Sequence, residues 1–258
     1  MKIAYVTDSG TGKSIAQHAK DGIVSVPLQI SDENRTWQDR ETLSVEQMIA
    51  LLHEGHTFTT SQPSYGLVEE CFSSLKQQGV DLKIICVDCY VTAVLQDYLI
   101  HRIRQALQEG MDPLEIQVLC DKIITSANTL IIPETLDQLI RGGRLTPVAA
   151  KLGKLLKITP VLQISKKTSG RIDTLDKVRT FRRALSRAME QMSVDHVGEE
   201  DDWSITIAHV DHPDMAETLK QQMMEKFPKA AIDIIPLCSP VAAHTGLGSI
   251  CIQYFRKF

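Results

Sequence analysis

The fold class is indicated first by Ser64–Gln108, which reads SYGLVEECFSSLKQQGVDLKIICVDCYVTAVLQDYLIHRIRQALQ. Its first part has the apolar spacing of a helix and ends at Gly79, and Val94–Gln108 shows a second helical pattern. Between them, Leu82–Val87 is apolar except for Lys83, which predicts a strand buried on both faces. A strand between two helices predicts a parallel sheet covered by helices on both sides.

The sequence on either side of this stretch continues the alternation. Lys2–Thr7 and Ile23–Ile30 are predicted strands, and Val45–His53 is a predicted helix with Ser44 as its N-cap. Further on, Asp112-Pro113 has the N-cap and first-turn residues that open another helix. The first half of the chain therefore predicts a strand–helix unit built on a parallel sheet.

The second half is patterned differently, because hairpin signals replace the strand–helix alternation. Ser169-Gly170 lies between Val161–Ile164 and the short run Arg171–Thr174, which predicts a hairpin turn. The predicted strands are Thr129–Ile132, Thr159–Ser165, Arg171–Thr174, Ser204–His209, Ala231–Leu237 and Ser249–Phe255, and the predicted helices are Pro133–Ile140, Pro147–Leu156 and the basic Asp176–Gln191. The fold class is therefore predicted as α/β with two domains, a parallel-sheet N-terminal domain (1–122) and a mixed-sheet α/β C-terminal domain (123–258).

The composition excludes several classes of protein. The chain has 258 residues, of which 43% are hydrophobic, and its 28 basic and 32 acidic side chains leave a net charge of -4. This balance argues against a nucleic-acid-binding protein. No apolar run approaches the roughly 18 residues that cross a bilayer, and Asp8 interrupts any signal-peptide core, so we expect a cytoplasmic protein without stable membrane insertion. Its six cysteines are then expected to stay reduced.

Polar residues cluster where the predicted sheet ends. Asp8 and Ser9 follow the first strand, at the edge where parallel sheets bind ligands. Thr59–Ser64 precedes a helix, where hydroxyls serve either as caps or, with the helix dipole, as part of an anion site. Thr92 occupies the corresponding place in the next strand–helix unit. Two hydroxyl-bearing loops on one sheet edge favour the anion site.

Other motifs are weaker indications of function. Gly12-Lys13-Ser14 resembles the end of a phosphate-binding P-loop, but position 7 is Thr where that motif requires glycine. The pairs His53/His56 and His209/His212 have the spacing of metal ligands, but no cluster completes four ligands, and Cys86-x-x-Cys89 has no second pair. These residues are expected to be structural. The chain contains neither a GxSxG nor an HExxH motif, so no hydrolase is indicated and the protein is not expected to be an enzyme.

Seven short motifs, taken in order along the chain, resemble those of the DegV family of bacterial fatty-acid-binding proteins. They extend over nearly the whole sequence, and their shared order makes the resemblance specific. They are Asp8-Ser9, Trp37-Gln38-Asp39, Thr60-Ser61-Gln62-Pro63-Ser64, Gly142-Gly143-Arg144-Leu145, Lys157-Ile158-Thr159-Pro160, Val178-Arg179-Thr180 and His244-Thr245-Gly246-x-Gly248.

This resemblance implies a carrier that holds one long-chain fatty acid between two DegV-like domains. The resemblance assigns the fatty acid carboxylate to Thr60 and Ser61 and to Thr92, which stands with Ala93 and Val94 where the family has Ser-Gly-Thr. It also implies that the head group, or an acyl phosphate, lies near Arg144, Arg179, His244 and Gly246.

The resemblance extends to partners and chain length. Members of the family present the fatty acid to a separate fatty acid kinase that uses ATP, so no cofactor is expected beyond the bound lipid. Relative to the family, the chain is expected to lack most of a strand–helix unit after residue 92. This shortening supports an alternative function, an enzyme acting on a small carboxylated or phosphorylated substrate at the same sheet edge.

Overall fold

The structure is a computed structural model that describes residues 2–80, 84–150, 158–200 and 202–258. The chain begins with strand β1 (Tyr5–Asp8), helix α1 (Ile15–Lys20) and strand β2 (Ile23–Val26). Strands β1 and β2 pair in parallel, with Tyr5 opposite Ile23. This strand–helix–strand unit confirms the alternation predicted for the beginning of the chain.

A proline divides the second predicted strand. The prediction of one strand over Ile23–Ile30 is wrong, because Pro27 has no N–H to continue the ladder and the chain leaves the sheet there. The next strand, β3, is the centre of an antiparallel sheet of order β4-β3-β5. The bounds of these three strands are Gln29–Ser31, Thr36–Gln38 and Thr59–Ser61.

The helices of the first half begin at capping residues. Helix α2 (Val45–His53) follows Ser44, whose side chain accepts a bond from the Gln47 N–H, as predicted. Helix α5 (Pro113–Ser126) follows Asp112, and in both helices the third residue returns a bond to the N-cap backbone. Such reciprocal bonds satisfy N–H groups that a helix leaves unpaired, which is why these two starts follow from sequence.

Two of the three elements predicted for Ser64–Gln108 are present, namely α3 (Tyr65–Gln77) and α4 (Val94–Gln108). The strand predicted at Leu82–Val87 is wrong for residues 84–87, which have no strand pairing with any described residue. Ile84 and Ile85 are 58% and 62% exposed. Residues 82 and 83 lie outside the described residues. A strand also needs a neighbouring strand for its backbone hydrogen bonds, and an apolar run in the sequence does not reveal whether that neighbour exists.

A six-stranded mixed sheet of order β10-β9-β11-β6-β7-β8 organises the second half. β10 pairs with β9 in parallel, and the other neighbours pair antiparallel. Its strands are β6 (Asn128–Ile132), β7 (Thr159–Ile164), β8 (Asp173–Val178), β9 (Trp203–His209), β10 (Ala231–Pro236) and β11 (Ile250–Arg256). The helices are α6 (Asp137–Arg141), α7 (Pro147–Ala150), α8 (Phe181–Val194), α9 (Pro213–Lys226) and α10 (Ser239–Thr245). The mixed α/β fold class is confirmed.

Two helices have boundaries that differ from the prediction, and a third helix lies partly outside the described residues. The predicted helix Asp176–Gln191 begins only at Phe181, because the preceding residues pair with β7 and Thr180 caps the helix through the Arg183 N–H. The helix predicted over Pro133–Ile140 is shorter, and α6 starts four residues after Pro133. The prediction Pro147–Leu156 is present as α7, and its residues from 151 onward lie outside the described residues.

One hydrophobic cluster joins the small antiparallel sheet to the six-stranded sheet. Ile30, Trp37 and Phe58 of the first half pack in the same cluster as Leu139 and Ala243 of the second half. A second cluster lies between the six-stranded sheet and helices α8 and α9, and a third joins α4 and α5. Strand β5 is thereby held against helix α10, and this contact positions the candidate site. None of the helices in the described ranges is both long and apolar enough to cross a membrane.

Candidate ligand site

Three of the residues predicted for the ligand site lie together. The hydroxyl of Thr60, on β5, is 2.7 Å from Nε2 of His244, on α10. Arg144 donates from Nη2 to the Thr60 carbonyl at 3.2 Å, and the same nitrogen is 3.4 Å from the Thr60 hydroxyl. We call Thr60, Arg144 and His244 the head-group cluster. In this cluster the guanidinium and the imidazole both contact the Thr60 hydroxyl.

Strand pairing sets the direction of the Thr60 side chain. Thr60 pairs with Ile30 of β3, and Thr59 and Ser61 on either side of it are exposed. Successive side chains of a strand point to opposite faces, so Thr60 faces α10 while its neighbours do not. Ser61 donates to Oε1 of Gln29 at 3.3 Å, within its own sheet.

The hydroxyl-rich segment Thr59–Ser64 uses two of its hydroxyls in different ways. Ser64 is the N-cap of α3, where its side chain accepts a bond from the Leu67 N–H. Thr60 does not cap the helix and instead contacts His244 across 184 positions of sequence. The segment therefore starts a helix with one hydroxyl and presents another to the second half of the chain.

Glycines allow α6 and α10 to approach each other at the cluster. A Cβ placed on Gly142 would lie 2.2 Å from Nδ1 of His244, closer than any real contact. Gly246 follows α10 with a φ of 76°, and a Cβ there would lie 3.2 Å from Cγ of Gln138. These contacts bring the two predicted glycine motifs, Gly142-Gly143-Arg144 and His244-Thr245-Gly246, to one place.

The electrostatics of the cluster are set by burial. His244 is 6% exposed, and burial, with a smaller contribution from the positive charge of Arg144, lowers its pKa to about 4. The imidazole is therefore neutral at pH 7, and Arg144, which is exposed, carries the positive charge of the cluster. A hydroxyl beside a guanidinium is a suitable binding site for a carboxylate or a phosphate oxygen.

Thr92 belongs to a different set of contacts. Its carbonyl accepts a bond from Nε2 of Gln253 at 2.9 Å, and the Gln253 Oε1 accepts from the Leu95 N–H at 2.9 Å. The Ala93 N–H donates to the Gly10 carbonyl at 2.7 Å, and Ala93 has a φ of 63°. No hydrogen bond among the described residues joins Thr92 to the head-group cluster.

Arg179 is exposed between β8 and α8, and it makes no ion pair with any residue that the structure describes. Its neighbours on α8 are engaged, because Arg183 pairs with Glu190 at 2.6 Å and Arg187 pairs with Asp176 at 2.7 Å. The described contacts therefore do not bring Arg179 to Thr60, although the sequence predicts it near the head group.

The remaining candidates are structural in the described contacts. Ser14 caps α1 and Lys13 pairs with Asp97 at 2.7 Å, so the P-loop-like residues have partners within the protein. Ser9 accepts a bond from the Leu28 N–H at 3.0 Å, and the Asp8 carboxylate accepts from the Gly10 N–H at 2.7 Å. Within the described ranges no group of three His, Cys, Asp or Glu residues could hold a metal ion.

Sequence reasoning missed two buried polar residues. Gln253 is 6% exposed and bridges Thr92, Leu95 and Thr129, and its signal is a lone glutamine in the apolar strand ICIQYF. Asp39 is fully buried where β4, β1 and α10 meet, and burial raises the pKa of its carboxyl despite the hydroxyls of Ser9 and Ser239. The sequence contained Asp39 in a family motif but gave it no role.

Two cavities of the described residues lie away from the cluster. One, of about 260 Å³, follows the exposed side of α3 and is lined by residues that include Tyr65, Val68 and Phe72. The other, of about 370 Å³, is lined by Glu199, Glu200, Asp202 and Lys229. Neither is lined by Thr60, Arg144 or His244.

The fold and the cluster define an α/β protein in which polar groups meet where a small antiparallel sheet joins a six-stranded mixed sheet. The chain belongs to the DegV family, because the model of that family matches residues 2–86 and 77–257. The family predicted from the seven motifs is thereby confirmed.

Relatives and solved structures agree with this assignment. A DegV domain-containing protein of Halalkalibacterium halodurans is 28% identical over 283 aligned positions, which include 98% of each chain. A fatty acid binding DegV family protein from Streptococcus agalactiae has a TM-score of 0.89 at 24% identity, with 100% of both chains covered. DegV, a fatty acid binding protein from Bacillus subtilis, has a TM-score of 0.85 at 21% identity, also with 100% of both chains covered. At these identities the solved structures show the fold.

The same comparisons bear on the length of the chain. The alignment to the Halalkalibacterium relative is longer than the 258 residues of this protein, so the relative has residues with no counterpart here. The two matched parts of the family model meet at residues 77–86, before Thr92. The position of the missing segment, which the sequence analysis places after residue 92, remains a prediction.

Proposed function

We propose that this protein is a cytoplasmic carrier that binds one long-chain fatty acid between two domains, residues 1–122 and 123–258. The observation that carries the proposal is the head-group cluster, in which Thr60 of the first domain contacts His244 and Arg144 of the second. The family membership supports it, because the Streptococcus agalactiae and Bacillus subtilis neighbours are fatty-acid-binding proteins.

The physical chemistry of a fatty acid suits such a site. Burying about a dozen methylenes at roughly 0.8 kcal/mol each contributes on the order of 10 kcal/mol before the costs of binding. The carboxylate at the end of the chain must then find donors, because an unpaired buried charge is costly. Thr60 supplies a hydroxyl and Arg144 a positive charge, and Gly246 lets the turn after His244 pack against Gln138. Ser61, on the other face of β5, is included on the strength of the family resemblance.

Thr92 and Arg179 complete the proposed set on the strength of the family resemblance. Thr92 offers a third hydroxyl to the carboxylate from a turn that Gln253 holds in place. Arg179 is exposed and has no ion-pair partner in the described ranges, so its charge is available to a ligand phosphate or to another protein.

A separate fatty acid kinase is the proposed protein partner, and it supplies the ATP chemistry that this chain lacks. Arg179 and Arg182 lie at the beginning of α8 and are exposed, and together with the remaining arginines of that helix they form the proposed docking face. An acidic surface on the kinase would complement this face electrostatically.

A titration with palmitate tests the proposal. Thr60→Val removes the hydroxyl but keeps the β-branched shape, so we expect the affinity for palmitate to fall at least tenfold, as for loss of a hydrogen bond to a charged group. Thr59→Val is the matched control, because Thr59 is exposed on the other face of the same strand. It should change the affinity less than twofold. An unmodified chain that binds neither palmitate nor other long-chain fatty acids would overturn the proposal.

One observation favours the alternative, an enzyme acting on a small carboxylated or phosphorylated substrate. The alignment to the Halalkalibacterium relative is longer than this chain, and a segment lost near Thr92 would shorten the space for an acyl tail while leaving the polar contacts between Thr60 and Arg144. This alternative predicts turnover of a small acid or phosphate ester by the isolated protein. Binding of palmitate without any turnover of such compounds would reject it.

A further inference from the structure

Gly142 is required by a contact and not by its backbone conformation. It ends α6 with a φ of -71°, which any residue can adopt. A Cβ at this position would nevertheless lie 2.2 Å from Nδ1 and 2.8 Å from Cε1 of His244. The Cα of Gly142, which carries no side chain, therefore packs directly against Nδ1 of the buried His244 imidazole.

The two nitrogens of His244 therefore have different surroundings. Nε2 lies 2.7 Å from the Thr60 hydroxyl, whereas Nδ1 is buried and has no hydrogen-bond partner in the described part of the chain. A neutral imidazole carries one proton, and the partner of each nitrogen decides which one holds it. A buried N–H without an acceptor is rarer in proteins than an unused acceptor, which favours the proton on Nε2.

We propose that Gly142 is a positioning residue for the ligand site, which confines the His244 proton to Nε2 and so leaves the Thr60 hydroxyl to donate to the ligand. In this arrangement Nε2–H donates to the Thr60 oxygen, which also lies 3.4 Å from Nη2 of Arg144. The oxygen then accepts from both neighbours, and its own hydrogen is directed to an oxygen of a bound carboxylate. This inference rests on the proposed function for the identity of the ligand but not for the tautomer.

Nitrogen NMR of the histidine rings tests the tautomer without any ligand. In two-bond proton–nitrogen spectra of the unmodified protein near pH 7, His244 should show a protonated Nε2 and an unprotonated Nδ1. Gly142→Ala should remove this pattern, because the added methyl group displaces the ring. Gly66→Ala is the matched control, since apart from its chain neighbours and the backbone of its own helix no described atom lies within 4 Å of the added Cβ, and it should preserve the pattern. A proton on Nδ1 in the unmodified protein would overturn the proposal.

A double-mutant cycle tests whether Gly142 acts through His244. Gly142→Ala alone should weaken palmitate binding at least tenfold, whereas in a His244→Ala background it should change the affinity less than twofold. Alanine at position 244 also removes the clash between the added methyl group and the His244 ring, so the double variant should fold even if Gly142→Ala does not. A tenfold loss in both backgrounds would contradict the proposal. If the unmodified protein does not bind palmitate at all, the proposed function fails, and the NMR result still decides the tautomer.

Discussion

Two hydroxyl-bearing turns, one at Thr60 and the other at Thr92, differ in what holds them. Thr60 contacts a buried imidazole and a guanidinium through its side chain, at 2.7 Å and 3.4 Å. Thr92 is held through its backbone carbonyl by Gln253, beside an alanine in a strained conformation. Two turns with similar sequence signals therefore make different contacts. In the described contacts, only Thr60 presents its hydroxyl to charged and polar partners.

The largest expected effect comes from removing both hydroxyls. Thr60→Val together with Thr92→Val should abolish retention of a fatty acid through purification while leaving the fold intact, because the carboxylate loses its neutral donors. The single variants measure the contribution of each hydroxyl separately. We expect at least a tenfold loss of palmitate affinity for Thr60→Val and about threefold for Thr92→Val, measured by titration.

Equal losses for the two single variants would contradict the ranking of the turns. Retention unchanged in the double variant, with an intact circular dichroism spectrum, would show that the carboxylate binds elsewhere.

The buried imidazole should make the stability of the protein sensitive to acid. The pKa of His244 is lowered from 6.5 to about 4 in the folded state, so the unfolded chain takes up the proton first as the pH falls. Stability is therefore lost between pH 6.5 and pH 4, by about 2 to 3 kcal/mol from this one residue. Denaturant titrations should show a flatter pH profile over this range for His244→Asn than for the unmodified protein.

Thr59→Val is the control for this pH profile, because Thr59 is exposed and has no titratable group. Its profile should have the same slope as that of the unmodified protein. A His244→Asn profile that is as steep as the original would contradict the assignment of a neutral, buried imidazole to the site.

The strain in the second turn predicts a stabilising substitution. Ala93 has a φ of 63° and a ψ of -132°, a conformation that glycine adopts readily and alanine does not. Ala93→Gly should raise the free energy of unfolding by about 1 kcal/mol. Ala50→Gly, at an exposed position inside helix α2, should lower it by a similar amount. Thermal denaturation measures both, and a loss of stability in Ala93→Gly would contradict the strain.

The smallest effect is expected at an exposed contact between α2 and the turn after β9. His53 Nε2 lies 2.6 Å from Asp211, and both side chains are about half exposed, at 57% and 47%. Solvent screens such a pair, so Asp211→Asn should change the free energy of unfolding by about 0.5 kcal/mol or less. A change above 1 kcal/mol in denaturant titrations would show that the contribution of a histidine contact to stability depends on its distance more than on its burial.

The sequence predicted those features that depend on neighbouring residues. The starts of α2 and α5 follow from Ser44 and Asp112, whose side chains bond to backbone groups two or three residues away. The strand predicted at Leu82–Val87 depended on a distant partner, and residues 84–87 show none among the described residues. The three-residue strands β4 and β5 are too short for any periodicity to reveal.

The site divides in the same way. Thr60 and His244 are separated by 184 positions, and only the resemblance to the DegV family placed them together before the structure did. The contact between Gly142 and His244 and the bridge made by Gln253 depend on how α6, α10 and β11 pack. Nothing local in the sequence predicts such contacts. Arg179, predicted near the head group, remains a prediction, because the described contacts leave it exposed.

Native mass spectrometry of freshly purified protein, followed by lipid extraction, shows whether the chain carries a fatty acid. We expect one long-chain fatty acid for each chain of the unmodified protein and of the Thr59→Val control, and an empty chain for the variant without the Thr60 and Thr92 hydroxyls. A protein that is reproducibly free of any acyl chain, and that stays free after incubation with palmitate, would contradict this expectation.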